Sequence, residues 1–282
     1  MKRYLPQIEE YLRSAVSGTD VVSEAMRYSL EGGGKRIRPC LVLEFCRVCG
    51  GEPATTLPFA AAVEMVHTYS LIHDDLPCMD DDALRRGKPS CHVQYGEANA
   101  LLAGDGLLTL AFETLAKASV PANRIAEACA VLAAAAGHRG MIGGQTMDLQ
   151  NEDRAVSLET LRQTDALKTV ELIRAACMLG CIAAGASPQQ REAAADYAYG
   201  LGMAFQIVDD ILDVTGDTAT LGKPAGSDET QHKSTYVTLC GLDGARRDAR
   251  AFTDAAIRAA DAFGEAGETL RTLAASLCNR NK

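Results

Sequence analysis

Two short segments gather carboxylates inside apolar surroundings. The first is His73-Asp74-Asp75-Leu76-Pro77-Cys78-Met79-Asp80-Asp81-Asp82, after an apolar run from Ala60 to Ile72. The second is Phe205-Gln206-Ile207-Val208-Asp209-Asp210-Ile211-Leu212-Asp213. Acids crowded together are costly unless a cation neutralises them. Oxygen donors without an accompanying Cys/His set favour Mg²⁺ over zinc. Pro77 should end the preceding helix, so that a turn presents Asp80. Asp209 and Asp213, four apart, share a helix face, with Gln206 one turn earlier. One such cluster alone also reads as a solvated helix end. Cations in Gly-rich or Asp-rich segments shift the balance: Lys35, Arg38, Arg85, Arg86, Lys168, Lys223 and Lys233. Metal bridges plus Arg/Lys donors are what an anion as dense as a diphosphate needs.

The elements that must position these groups are helical. Apolar residues recur at three and four almost throughout, and sustained strand-type alternation is absent. Gly32-Gly33-Gly34 ends one helix, and Pro39 opens the next. Ser187-Pro188-Gln189-Gln190 combines an N-cap serine, a first-turn proline and a capping-box glutamine. Caps and breakers give roughly ten to twelve helices. No Pro/Ser-rich linker divides the chain, so one all-α domain over residues 1–282 is expected, with Val214–Ser234 as a long functional loop.

Composition narrows the class. The chain is 47% hydrophobic but only 5% aromatic and lacks Trp, which suits close-packed helices. A net charge of −9 argues against a nucleic-acid partner. The ten cysteines include Cys46-x-x-Cys49 and the one-turn pair Cys177/Cys181. No zinc-type second half follows, so they read as buried reduced thiols of a cytoplasmic protein. The N-terminus lacks a signal-peptide core. The apolar runs near Ala128–Gly137 and Ala175–Ala186 are too short to span a bilayer, so no membrane span is expected.

In order and spacing the motifs resemble those of the trans-prenyl diphosphate synthases, most closely the bacterial farnesyl type. The matching segments are Gly33-Gly34-Lys35-Arg36-Ile37-Arg38-Pro39, Glu64 through Asp75, and Leu84-Arg85-Arg86-Gly87-Lys88-Pro89. They continue with Gly143-Gly144-Gln145-Thr146-Met147-Asp148, Lys168-Thr169, Phe205 through Asp213, Leu221-Gly222-Lys223-Pro224 and Lys233-Ser234-Thr235-Tyr236. The resemblance implies a bundle of mostly antiparallel helices around a central cavity, usually as a homodimer. It implies that Lys35, Arg38, His67 and Arg86 hold isopentenyl diphosphate, while Arg85, Lys168, Lys223 and Lys233 contact the allylic diphosphate. By the same resemblance Asp74 and Asp80 bind two Mg²⁺ and Asp209 a third, supported by Asp75 and Asp213, with Mn²⁺ as a substitute. Thr169 and the Gln206 amide face the developing allylic cation. On its own, His67 reads more readily as a satisfied core histidine.

Two departures from the family pattern stand out: Ala83 replaces an Asp, and Val170-Glu171 replaces small residues. A β-branched Val170 is expected to crowd or stiffen the helix kink after Lys168-Thr169. Tyr69, with Ser70 beside it, precedes the first Asp motif where the family limits chain growth, which implies a farnesyl product. Geranylgeranyl diphosphate is the alternative. A terpene cyclase would leave Lys35, Arg38 and Arg86 without purpose, and a non-catalytic binding subunit would not need both Asp motifs.

Overall fold

The computed structural model describes residues 1–152, 154–215 and 234–278. The described chain is helical apart from one two-residue hairpin. In chain order the helices are α1 (Leu5–Ala15), α2 (Val21–Leu30), α3 (Ile37–Val48), α4 (Leu57–Asp74), α5 (Cys91–Tyr95), α6 (Glu97–Ala116) and α7 (Ala122–Ala136). They continue as α8 (Met141–Asn151), α9 (Leu158–Asp165), a π-helical turn (Ala166–Val170), α10 (Glu171–Ala184), α11 (Pro188–Thr215), α12 (Tyr236–Ala260) and α13 (Glu268–Cys278). Contacts divide the chain into two compact units, Met1–Ala130 with Ile182–Gly185, and Val131–Cys181 with Ala186–Lys282.

The first unit is organised on α4. Phe59 through Val66 are buried without interruption, so this helix is apolar all round and runs through the core against α6 and α3. Pro58 starts it, and it stops at Asp74, three residues before Pro77. Asp20 caps α2 by accepting from the amides of Val22 and Ser23. Between α2 and α3, Arg36 adopts a left-handed backbone (φ 48°) and is buried. Its guanidinium donates to Glu9, to Glu64 at 2.7 Å and to the Leu30 carbonyl at 2.5 Å. Removing one partner of such a pair would strand a buried charge. The hairpin pairs Leu84–Arg85 (β1) with Lys88–Pro89 (β2) across Arg86-Gly87. Both turn residues have positive φ (55° and 77°), the type I′ geometry that suits so tight a connection.

The second unit is built on α11 against α12. Val170, Met203, Ile207, Val208, Tyr236, Ala245 and Ala249 form its core. Gly200 lets the two helices touch, since a Cβ there would lie 2.7 Å from the Phe252 carbonyl of α12. The Ser187/Gln190 capping box opens α11 as the sequence indicates: each backbone N–H donates to the other's side chain.

One stretch departs from the expectation that no apolar run reaches bilayer length. Within the 30 residues Ala122–Asn151, an 18-residue window of mean hydropathy 1.2 satisfies the length and composition of a span. The backbone interrupts it: α7 ends at Ala136, and α8 begins after Gly140, whose φ/ψ of −129°/−123° are not helical. The resulting helices of 15 and 11 residues are each shorter than a hydrocarbon core requires.

Candidate active site

In the first unit, the end of α4 is folded back on itself. The Asp80 amide donates to the Asp74 carbonyl at 2.9 Å, and the amides of Met79 and Asp81 donate to the Leu76 carbonyl. Asp81 takes up the turn with φ 51°. The motif therefore delivers Asp74 and Asp80 to one place although six residues separate them, and both stay partly exposed. Asp75 differs. Its buried carboxylate accepts from Arg85 through Nε at 2.9 Å and through Nη2, and Arg85 also donates to Asp82. A metal role read from the sequence for Asp75, and a diphosphate role for Arg85, fall on two residues that the structure pairs with each other.

Further along the same unit, His67 lies where cations converge. Burial, followed by the charges of Arg38, Arg86, Arg36 and Arg85, holds its imidazole well below the usual histidine range. Burial also lowers Arg86, as do Arg36 and Arg85, while Glu64 and Glu9 oppose them. These charges would favour an anion here, although Arg36 and Arg85 already have carboxylate partners. Arg86 donates to the Gly33 carbonyl, and its guanidinium rests where a side chain on Gly34 would be, 2.8 Å from the position of a Cβ. Gly34, directly before Lys35, thus makes room for the arginine. Lys35 is exposed and Arg38 is half-buried on the first turn of α3.

Tyr69 is buried one turn before His73 (5% exposed), its ring edge-on to the imidazole at 5.6 Å and 76°. Its hydroxyl has no hydrogen-bond partner, and burial, with Asp74 adding to it, pushes the phenol up to about 12. Ser70 turns back to donate to the His67 carbonyl at 2.9 Å.

The second unit assembles a different set. Lys168 and Thr169 lie on the π-helical turn, a deformation often found at functional sites. Gly144 of α8 makes this turn possible at close range, because a Cβ there would lie 2.2 Å from the Lys168 amide. Lys168 pairs with Asp148 at 2.6 Å. Thr169 Oγ1 donates to Gln206 Oε1 at 3.3 Å, Gln206 Nε2 donates to Asp210 Oδ1 at 3.3 Å, and Asp210 Oδ2 accepts from the Tyr236 amide at 2.8 Å. This chain of bonds fixes which end of the Gln206 amide faces Thr169. Asp209 is partly exposed on α11 and Asp213 is buried a turn later. The expected crowding at Val170 has a local remedy. Its side chain, 1% exposed, packs into the space left by Gly202, where a Cβ would lie 2.9 Å from Val170 Cγ2. Lys223 and Lys233, with most of the Val214–Ser234 loop, lie outside the described residues.

Among the described residues no group of three or more His, Cys, Asp or Glu is close enough to enclose a metal ion by itself. Mg²⁺ keeps several waters and is held by one or two carboxylates together with substrate phosphates. Asp74 with Asp80, and Asp209 on α11, supply such partly exposed oxygen donors. Sequence reasoning missed Asp148, Asp210 and Arg36 as supporting groups. All three lie inside segments that it quoted, but only the hydrogen bonds give them a task.

The polyprenyl synthetase family profile matches residues 19–272. Farnesyl diphosphate synthase of Escherichia coli (strain K12) is 48% identical over 93% of this chain and 90% of that protein. Geranylgeranyl pyrophosphate synthase 7, chloroplastic, of Arabidopsis thaliana is 47% identical over 84% of this chain and 70% of that protein. The crystal structure of the Helicobacter pylori geranyltransferase complexed with magnesium and isoprenyl diphosphate superposes with a TM-score of 0.88. It is 33% identical and covers 99% of this chain and 95% of that one.

Proposed function

The chain belongs to the polyprenyl synthetase family, and from that premise we propose that it condenses isopentenyl diphosphate with dimethylallyl and then geranyl diphosphate, stopping at farnesyl diphosphate. The observation that carries the reading is the gathering of Arg38 and Arg86, the latter seated against Gly34, near enough to His67 for their charges to add to burial in holding its imidazole below the usual range. It is a ready anion site of the kind that a non-reacting diphosphate requires. Lys35, Arg38, His67 and Arg86 take the isopentenyl diphosphate. Neutral His67 can donate one ring hydrogen to a phosphate oxygen without adding to the local positive charge.

On the other substrate, Lys168 and Arg85 take the allylic diphosphate as charge builds on the leaving oxygens, joined in the family pattern by Lys223 and Lys233. Asp74, Asp80 and Asp209 would hold Mg²⁺, which would supply positive charge to neutralise the leaving diphosphate. The allylic C–O bond breaks, and the isopentenyl double bond supplies the electron pair of the new C–C bond. The proton lost from the adjacent carbon passes to the departing diphosphate. Thr169 and the Gln206 carbonyl, tied together at 3.3 Å, present oxygen to the allylic cation. Three Mg²⁺ with Mn²⁺ as a substitute, a homodimer and a cytoplasmic location complete the reading, on the strength of the family resemblance.

A geranylgeranyl product is the second reading, because plant geranylgeranyl synthases reach comparable identity to the chain over a somewhat shorter stretch. One incubation tests both: the protein with dimethylallyl diphosphate, isopentenyl diphosphate and Mg²⁺, followed by product analysis. A fifteen-carbon diphosphate supports the first reading and a twenty-carbon one the second. A cyclic hydrocarbon, or no product, overturns both.

A further inference from the structure

Nothing in the sequence singles out Asp165. It ends α9 and directly precedes the π-helical turn that carries Lys168. In the structure it is 8% exposed, and its Oδ2 has no hydrogen-bond partner. It lines a cavity of about 150 Å³ together with Asp148, Lys168, Gln206 and Asp210. A carboxylate oxygen removed from water without a donor is costly, whereas a carboxylic acid in the same place is tolerated.

We propose that Asp165 is a positioning residue of the condensation site, an uncharged carboxylic acid that keeps the Lys168 ammonium available to the allylic diphosphate. This rests on the function proposed above. Lys168 already pairs with one carboxylate, Asp148 on α8, at 2.6 Å. An ionised Asp165 would set a second anion near the same ammonium and compete with the substrate for its charge. As a neutral acid it fills the space below the turn and leaves the competition to Asp148. The carboxylates facing it act in the same sense. Burial raises its carboxyl well above the usual range, Asp210 on α11 and Asp148 raise it further, and Lys168 opposes them. Tyr236 on α12 is within electrostatic reach and feels the Asp165 charge in turn, while Arg162 of α9 lies 6.0 Å from the Tyr236 ring centre.

The test uses the full chain and two measurements. Infrared difference spectroscopy of the parent against Asp165→Asn should show, at neutral pH, the C=O stretch of a protonated carboxylic acid that the variant lacks. Calorimetric titration with dimethylallyl diphosphate and Mg²⁺ needs no turnover. The parent should bind about tenfold more weakly as pH rises through the Asp165 titration, whereas the variant, neutral throughout, should keep its neutral-pH affinity. Absence of the band overturns the proposal. So do coincident pH profiles, or a variant about tenfold weaker at neutral pH. A parent that shows no affinity for the allylic diphosphate overturns the proposed function itself, and is thereby distinguished from a failure confined to Asp165.

Discussion

Replacing Tyr69 by alanine deletes a phenol from the interior of α4, five residues before Asp74. At the helical rise this is about 7.5 Å along the axis from the carboxylate that anchors the leaving group. About seven heavy atoms disappear, more than the five carbons of one isoprenoid unit, so the space released admits one further condensation. The cost to stability is set by what Tyr69 touches. Truncating a buried aromatic costs about 3–5 kcal/mol, including about 1 kcal/mol for the edge contact with His73. The unpartnered hydroxyl places the loss near the lower end, because no hydrogen bond disappears with it. A protein of ordinary stability survives this loss. Tyr69→Phe is the control: it removes only the unsatisfied oxygen, should be neutral or stabilising by up to about 1 kcal/mol, and should leave the product unchanged. The assay is the chain-length distribution of products by mass spectrometry, with melting curves of all three proteins. The alanine variant should shift the main product from fifteen to twenty carbons or more. A folded Tyr69→Ala that still stops at fifteen carbons refutes the steric floor and leaves Tyr69 as packing alone.

Asp74→Ala and Asp209→Ala should each abolish condensation, as should EDTA; turnover near the parent's in either variant or in chelator removes the metal-assisted mechanism. Lys35→Ala and Arg38→Ala should raise the KM for isopentenyl diphosphate by about 10- to 100-fold, from the loss of a charge-assisted contact of about 2 kcal/mol, with the allylic KM nearly constant. Equal effects on both substrates would show that the two diphosphate sites are wrongly divided. Glu44 offers a pH-linked test of the fold. Burial opposes its charge, but hydrogen bonds from Arg47, Tyr4 and Arg3 outweigh burial and hold its carboxyl below the ordinary glutamate range. Its contribution is complete above the unfolded value of about 4.3 and is lost as pH falls through the lower folded value. Glu44→Gln should therefore lower stability at neutral pH by about 2 kcal/mol and flatten the acid limb of the melting-temperature profile. An unchanged acid limb would count against the linkage.

The helical class, the end of α4 before Pro77 and the cap at Ser187 are legible in the sequence because they are local. They depend on the period of apolar residues, on the missing amide of proline and on side chains three residues apart. The two Asp motifs were legible for the same reason: acids inside apolar runs require an explanation whatever surrounds them. Tertiary structure decided the rest. Asp75 and Arg85 each look like a site residue in the sequence, and only the return of the hairpin places them against each other. Val170 looks obstructive until Gly202, 32 residues away, provides its space. Asp165 is an unremarkable helix residue until α8, α11 and the π-helical turn close around it and leave an oxygen without a donor. Those outcomes depend on which elements touch, and burial and electrostatics are properties of that contact that no local pattern carries.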